Sequence, residues 1–174
     1  EVRGIEVIAA RLGAAAEPSE NENLLSRGAD RVVVCGTQDP QSLDAQPVAK
    51  ALAEMVRRIE PRLVLIGATK QGTELAARLA QRLGVACANE CASVVLAGDE
   101  VIVERSLYAR FVARQRIETR PALATIPLGR FEPLVPRPVE QPGPEVLTVA
   151  AGAPRLRVVG SRARPKSRSD IGRA

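Results

Sequence analysis

The chain has 174 residues, 45% of them hydrophobic and 26% charged, the proportions of an ordinary globular domain. Its net charge of +5 is unevenly placed: residues 155–174 hold seven basic side chains against Asp170, a balance of +6 that leaves −1 for the first 154 residues. A neutral body with a basic tail and only three aromatic residues argues against a nucleic-acid-binding face, and the absence of His removes a Ser-His-Asp triad and any His metal site.

No apolar run approaches the ~18 residues of a membrane span, and no basic segment followed by an apolar stretch marks a secretory signal. The chain begins at Glu1 and soon enters a strand-like run, so it is expected to lack its natural start. Three cysteines give an odd count and no disulfide framework, which points to a reducing, cytoplasmic setting.

Glu6 to Leu12 reads as a short strand. Pro18 to Arg27 reads as a short helix, with Ser19 and Glu22 in a capping-box spacing and Gly28 as its stop. Arg31 to Cys35 is a compact β-branched run, as in a strand buried on both faces. Asp44 to Glu60 is helical, because Val48, Leu52, Met55, Val56 and Ile59 recur at three- and four-residue spacing before Pro61. Leu63 to Ile66 is a second buried strand. Thr73 to Leu83 is a further helix that Gly84 closes. Strand and helix alternating at this spacing predict a parallel sheet with crossover helices.

The pattern changes after Gly84. Ala92 to Leu96 and Glu100 to Tyr108 flank Gly98-Asp99 and predict a hairpin. Phe111 to Ile117 and Leu123 to Leu128 read as two more strands, so this half is expected to be antiparallel. Residues 131–154 contain six prolines and are expected to form an extended surface segment. Short edge strands are expected at 145–151 and 155–159, and 161–174 reads as a basic linker.

Gly67-Ala-Thr-Lys-Gln-Gly72-Thr73 leaves the end of a buried strand and opens a helix. Two readings stand. It is a tight turn in which Thr69 or Thr73 caps the helix, or a nucleotide or anion loop in which Gly67, Thr69, Gly72 and Thr73 meet the ligand at a helix N-terminus. A Walker-type loop is rejected, because Thr73 stands where the Lys is required and Lys70 lies inside the loop. Cys87 and Cys91, with Cys35 as the only other thiol, do not make a four-ligand zinc site, so no metal is expected. They read as small buried hydrophobes. Asp99 and Glu100 fall on the hairpin tip and read as solvated. Glu90, in the loop after the third helix, reads as a surface residue within reach of a ligand. Arg105, Tyr108, Arg110, Arg114 and Arg116 make an Arg-dense strand region: either a solvated face or a partner interface, for which Arg105, Tyr108 and Arg110 are the candidates.

Several of these residues resemble one family. Leu65-Ile-Gly-Ala-Thr69, Gly72, Leu75-Ala-Ala-Arg-Leu79 and Leu83-Gly84 resemble the N-terminal domain of the alpha subunit of electron-transfer flavoproteins. Val101 to Tyr108 ends like the family's Arg-Pro-aliphatic-Tyr strand, with Ser106 in place of Pro. Ala122 to Pro133 resembles the next strand and its Phe-Glu-Pro exit, and Arg164 to Ile171 resembles the linker before the flavin domain. Departures are Ala109-Arg-Phe111 where the family has a glycine turn, Thr73 where it has Arg, and Ala77 where it has Pro.

The resemblance implies a three-layer, nucleotide-hydrolase-like α/β fold over residues 1–160, with an antiparallel hairpin extension and without the family's first strand and helix. It implies pairing with a beta subunit, FAD held mainly in a later domain, AMP in the partner subunit, and electron delivery from an acyl-CoA or other flavin dehydrogenase. On this reading the chain is a scaffold for an electron carrier and not an enzyme. The alternative is a stand-alone adenine-nucleotide-binding module of the same fold. An acid–base enzyme acting on a phosphorylated substrate has neither a His nor a paired carboxylate to support it.

Overall fold

The computed structural model describes residues 4–12, 18–35, 45–108, 110–138, 145–147, 159–160 and 162. In chain order the elements are β1 (Ile8–Leu12), α1 (Pro18–Ser26), β2 (Arg31–Cys35), α2 (Ala45–Ile59), β3 (Leu63–Gly67), α3 (Lys70–Leu83), β4 (Cys87–Ala88), β5 (Ser93–Ala97), β6 (Glu100–Leu107), β7 (Phe111–Ile117), β8 (Ala122–Ile126) and β9 (Glu145–Leu147).

Local chemistry accounts for most of the boundaries. In α2 the apolar residues at helical spacing become one buried face: Ala49, Leu52, Ala53, Met55 and Val56. The helix stops because Pro61 disfavours helical geometry in the residue before it, and Glu60 turns to φ 51°. α3 starts where Thr69 accepts a hydrogen bond from the Gly72 N–H, and it ends at Gly84, whose φ of 68° suits a residue without Cβ. α1 begins at Pro18, so Ser19 lies inside the helix and is not its cap. Pro is at ease there, because a first-turn residue has no intrahelical N–H bond to lose.

Among the described residues the strands form three sheets of three. β1, β2 and β9 are parallel, in the order β1-β2-β9. β3, β8 and β4 are parallel, in the order β3-β8-β4. β5, β6 and β7 make an antiparallel meander, with Gly98 at φ 55° in the first turn. The α/β class with a parallel sheet and an antiparallel extension is thus as expected.

Two hydrophobic clusters join these layers. In the first, Met55, Leu52 and Ala51 of α2 and Leu79 and Ala80 of α3 meet Val33 of β2 and Leu123 of β8. Full burial of Leu79 or Leu123 contributes roughly 1.5–3 kcal/mol. In the second, Ala122 and Ala124 on the other face of β8 meet Val101, Val103 and Ile117 of the antiparallel sheet, together with Cys91. Alternation along β8 puts its leucine towards the helices and its alanines towards the second sheet.

Besides Ser19 and the start of α3, at Lys70 and not Thr73, three particulars of strand placement differ from the sequence reading. The 122–126 strand is not part of the antiparallel half: it returns to the parallel sheet as its central strand, buried at Ala122, Leu123, Ala124 and Thr125. Cys87–Ala88, for which no strand was expected, pairs with Leu123 and Ala124. β2 and β3, consecutive in the strand-helix alternation, belong to different sheets and share only the core beneath α2. Residues 131–138 are exposed and outside any helix or strand, as the prolines require. Of the edge strand expected at 145–151, Glu145–Leu147 pairs parallel to β2. The 155–159 strand and the 161–174 linker fall almost wholly outside the described residues.

Candidate functional site

Parallel strands expose free backbone groups at their carboxyl ends, where α/β folds place ligands. Here the end of β8 is stitched to the segments that follow β3 and β4. Ala68 N–H donates to the Ile126 carbonyl at 2.7 Å, and Cys91 N–H donates to the Thr125 carbonyl at 2.8 Å. The Thr125 hydroxyl, fully buried, accepts from Glu90 N–H at 2.8 Å, which holds Glu90 at φ 54°. The Glu90 side chain faces solvent.

The Gly67–Thr73 turn is closed on itself. Thr69 N–H donates to the Gly67 carbonyl at 2.8 Å, Gly72 N–H to Thr69 Oγ1 at 2.9 Å, and Thr73 N–H to the Thr69 carbonyl at 2.8 Å. Thr69 is therefore the helix cap, and Thr73 lies inside the helix. Gly72 sits so near the Gly67 carbonyl oxygen that a Cβ there would come closer than the 3.0 Å real Cβ atoms keep. Lys70 is exposed at the first position of α3.

The Arg-dense region divides by strand alternation. Arg114 and Arg116 share the outer face of the antiparallel sheet with their acidic neighbours: Glu104 at 3.8 Å from Arg114, and Glu100 and Glu118 at 2.8 and 2.7 Å from Arg116. These exposed pairs add little to stability. Arg105 is on the opposite, partly buried face, where it opposes the rise that burial imposes on the Cys91 thiol. Tyr108 and Arg110 are both exposed, in the β6–β7 turn. The sequence reading missed two neighbours of that turn, Phe111 and Val112, which are 65% and 68% exposed. The scarcity of aromatic residues was the available signal.

At the far end of β8, a cavity of about 200 Å³ is lined by Arg62, Arg116, Arg120, Asp99, Glu100 and Glu118. Asp99 pairs with Arg120 at 3.0 Å and Arg62 reaches the Gly98 carbonyl, so this is a solvated ion-pair lattice. Cys87 is half-buried and Cys91 fully buried; burial pushes both thiols up, as for small apolar side chains. Among the described residues no helix is long and apolar enough to cross a membrane.

A parallel α/β core with an antiparallel meander packed on one face, carrying a capped strand-to-helix turn, defines the class of molecule. The chain belongs to the electron transfer flavoprotein domain family, whose model matches residues 1–154. The electron transfer flavoprotein subunit alpha of Clostridium acetobutylicum is 28% identical over 138 residues, 77% of this chain and 41% of that protein. The acryloyl-CoA reductase electron transfer subunit beta of Anaerotignum propionicum is 34% identical over 89 residues, 51% of this chain and 24% of its own length. The lactate dehydrogenase (NAD(+),ferredoxin) subunit LctC of Acetobacterium woodii is 26% identical over 128 residues, 72% of this chain and 30% of that subunit. The chain spans about two-fifths of the length of the alpha-subunit relative.

Proposed function

We propose that this chain is the N-terminal scaffold domain of an electron transfer flavoprotein alpha subunit. It pairs with a beta-type subunit and supports a flavin that passes on electrons from a dehydrogenase. The family match across residues 1–154 carries this reading. One relative is named as the electron transfer subunit of an acryloyl-CoA reductase and another as a subunit of a lactate dehydrogenase, which supports the link to a redox enzyme. The chain itself is then a carrier subunit, and FAD supplies the redox chemistry.

The described residues at the strand ends do not shape a flavin cradle. Gly72 is seated on the Gly67 carbonyl, and the Thr69 hydroxyl is engaged by Gly72 N–H. The reading therefore gives FAD mainly to a part of the intact protein outside these residues, and AMP to the partner. This chain supplies support and docking, with Arg105, Tyr108 and Arg110 on the partner side. A cytoplasmic setting follows from the same reading.

A second reading takes Gly67, Thr69, Gly72 and Thr73 as an adenine-nucleotide site, on the strength of the α3 N-terminus that Thr69 opens at the end of β3. Co-expression with the beta-type subunit of the same organism, followed by native mass spectrometry, separates the two. A one-to-one complex supports the subunit reading. A lone chain carrying AMP or ATP, with binding lost in Thr69→Ala, supports the module, and a lone chain with nothing bound overturns both.

A further inference from the structure

The β6–β7 hairpin outgrows the sheet that holds it. β5 stops pairing at Ser93 opposite Glu104. β6 and β7 pair on through Arg105 with Ala113, Ser106 with Val112 and Leu107 with Phe111. At about 3.3 Å per residue the ribbon projects roughly 10 Å beyond β5. Two strands without a third, or without a surface to lie on, are marginal in water.

The tip of this ribbon has the wrong chemistry for a solvated turn. Tyr108 is 90% exposed, Val112 68% and Phe111 65%. The chain has one Tyr and two Phe, and all three are exposed, two of them at this tip. Tyr108 holds φ at 53°, a left-handed conformation uncommon for a residue with a side chain. Such geometry is costly and clusters at functional positions. The charge of the tip is one-sided as well: residues 106–113 contain the exposed Arg110 and no acid, while Arg114 beyond them is matched by Glu104. Aromatic residues and Arg together are the composition of interface hot spots.

We propose that the β6–β7 tip is a docking finger for a partner-protein surface made of an apolar socket with an acidic rim. Tyr108 and Phe111 fill the socket, Val112 flanks it from the other face of the ribbon, and Arg110 meets the rim. The proposal rests on the reading of the chain as a subunit, and it specifies the chemistry of the partner's face. A second copy of this chain does not fit that description, since it would set Arg110 of one tip against Arg110 of another.

The experiment uses the whole chain and the purified beta-type subunit of the same organism. Affinity is measured by biolayer interferometry at 50 and 500 mM NaCl for the wild type, Tyr108→Ser/Phe111→Ser, Arg110→Glu, and Val135→Ser. Val135 is 80% exposed but lies outside the hairpin, and serves as the control. The expected result is at least a 30-fold loss for the double variant and a 10-fold loss for Arg110→Glu at low salt, with a weaker salt dependence for Arg110→Glu. Val135→Ser is expected to match the wild type. Unchanged thermal melts show that the variants still fold. A wild-type complex that the tip variants leave intact overturns the docking finger and spares the subunit reading. No wild-type complex overturns both. Co-sedimentation with phosphatidylglycerol vesicles that depends on Tyr108 and Phe111, without an effect on the complex, overturns the protein partner in favour of a lipid surface.

Discussion

Replacing Gly72 with Ala sets local propensity directly against tertiary packing. Gly72 is a helical position of α3, and Ala is favoured over Gly in a helix interior by about 1 kcal/mol. In the fold, the added methyl group would meet the Gly67 carbonyl oxygen at less than 3.0 Å and Thr69 Oγ1 at 3.1 Å. The first obstacle is backbone, which has no rotamer to move into. Overpacking such a site costs roughly 1–3 kcal/mol. Moving the first turn away from β3 also weakens the Thr69 cap, worth about 1 kcal/mol. After the propensity gain is subtracted, the expected net loss is about 1–3 kcal/mol, or a fall of several degrees in Tm at about 2–4 °C per kcal/mol. Urea unfolding followed by far-ultraviolet circular dichroism measures it. A variant as stable as the wild type, or more stable, would show that α3 does not lean on the end of β3 and would refute the close approach.

Three further outcomes follow from the same geometry. Thr69→Ala removes the acceptor for Gly72 N–H and is expected to cost about 1 kcal/mol in urea unfolding, with Thr69→Ser restoring most of it. Thr125→Val keeps the shape of a fully buried residue but leaves Glu90 N–H without its acceptor; a loss of about 1–3 kcal/mol is expected, with faster amide exchange at Glu90 by NMR. Burial raises the Cys87 and Cys91 thiols above their ordinary 9.0, with Arg105 partly opposing this at Cys91. A proton held more tightly in the folded chain than in the unfolded one gives stability that is present below about pH 9 and is lost as pH rises through the folded values. Urea midpoints should therefore fall from pH 8 to pH 10, and fall less in Cys87→Ala/Cys91→Ala. Equal slopes would count against the assignment.

The candidate site was legible in unequal parts. Gly84 as stop is written in local chemistry, since it acts within a few residues of itself, whereas the sequence left the cap open between Thr69 and Thr73 and the structure gives it to Thr69. The purpose of Gly72 was not legible, because the Gly67 oxygen it accommodates is a neighbour through the turn's closure. A motif search reads two spaced glycines as a ligand loop just as readily. Strand alternation implied that the arginines of 105–116 sort onto faces, but only the register shows Arg105 towards Cys91 and Arg114 and Arg116 towards Glu104 and Glu100. Thr125 carried no signal at all: a single hydroxyl in an apolar run becomes important only when the Glu90 loop is folded against it.

The sequence by itself determined where most helices and strands lie, because capping, proline stops and hydrophobic period act over a few residues, although it began α3 at Thr73 instead of Lys70 and gave no sign of β4. It also determined the family, because the ordered spacing of Leu65 to Gly84 and Val101 to Pro133 is a property of the chain. Only the tertiary structure decided which strands are neighbours. The run from Ala122 to Ile126 is equally acceptable as an antiparallel successor to β7 or as a parallel strand, and its alternation is the same in both. Burial on two faces chose the parallel place, with Leu123 among the helices and Ala122 and Ala124 beneath the second sheet. That choice is a property of the assembled layers, and no local window of sequence contains it.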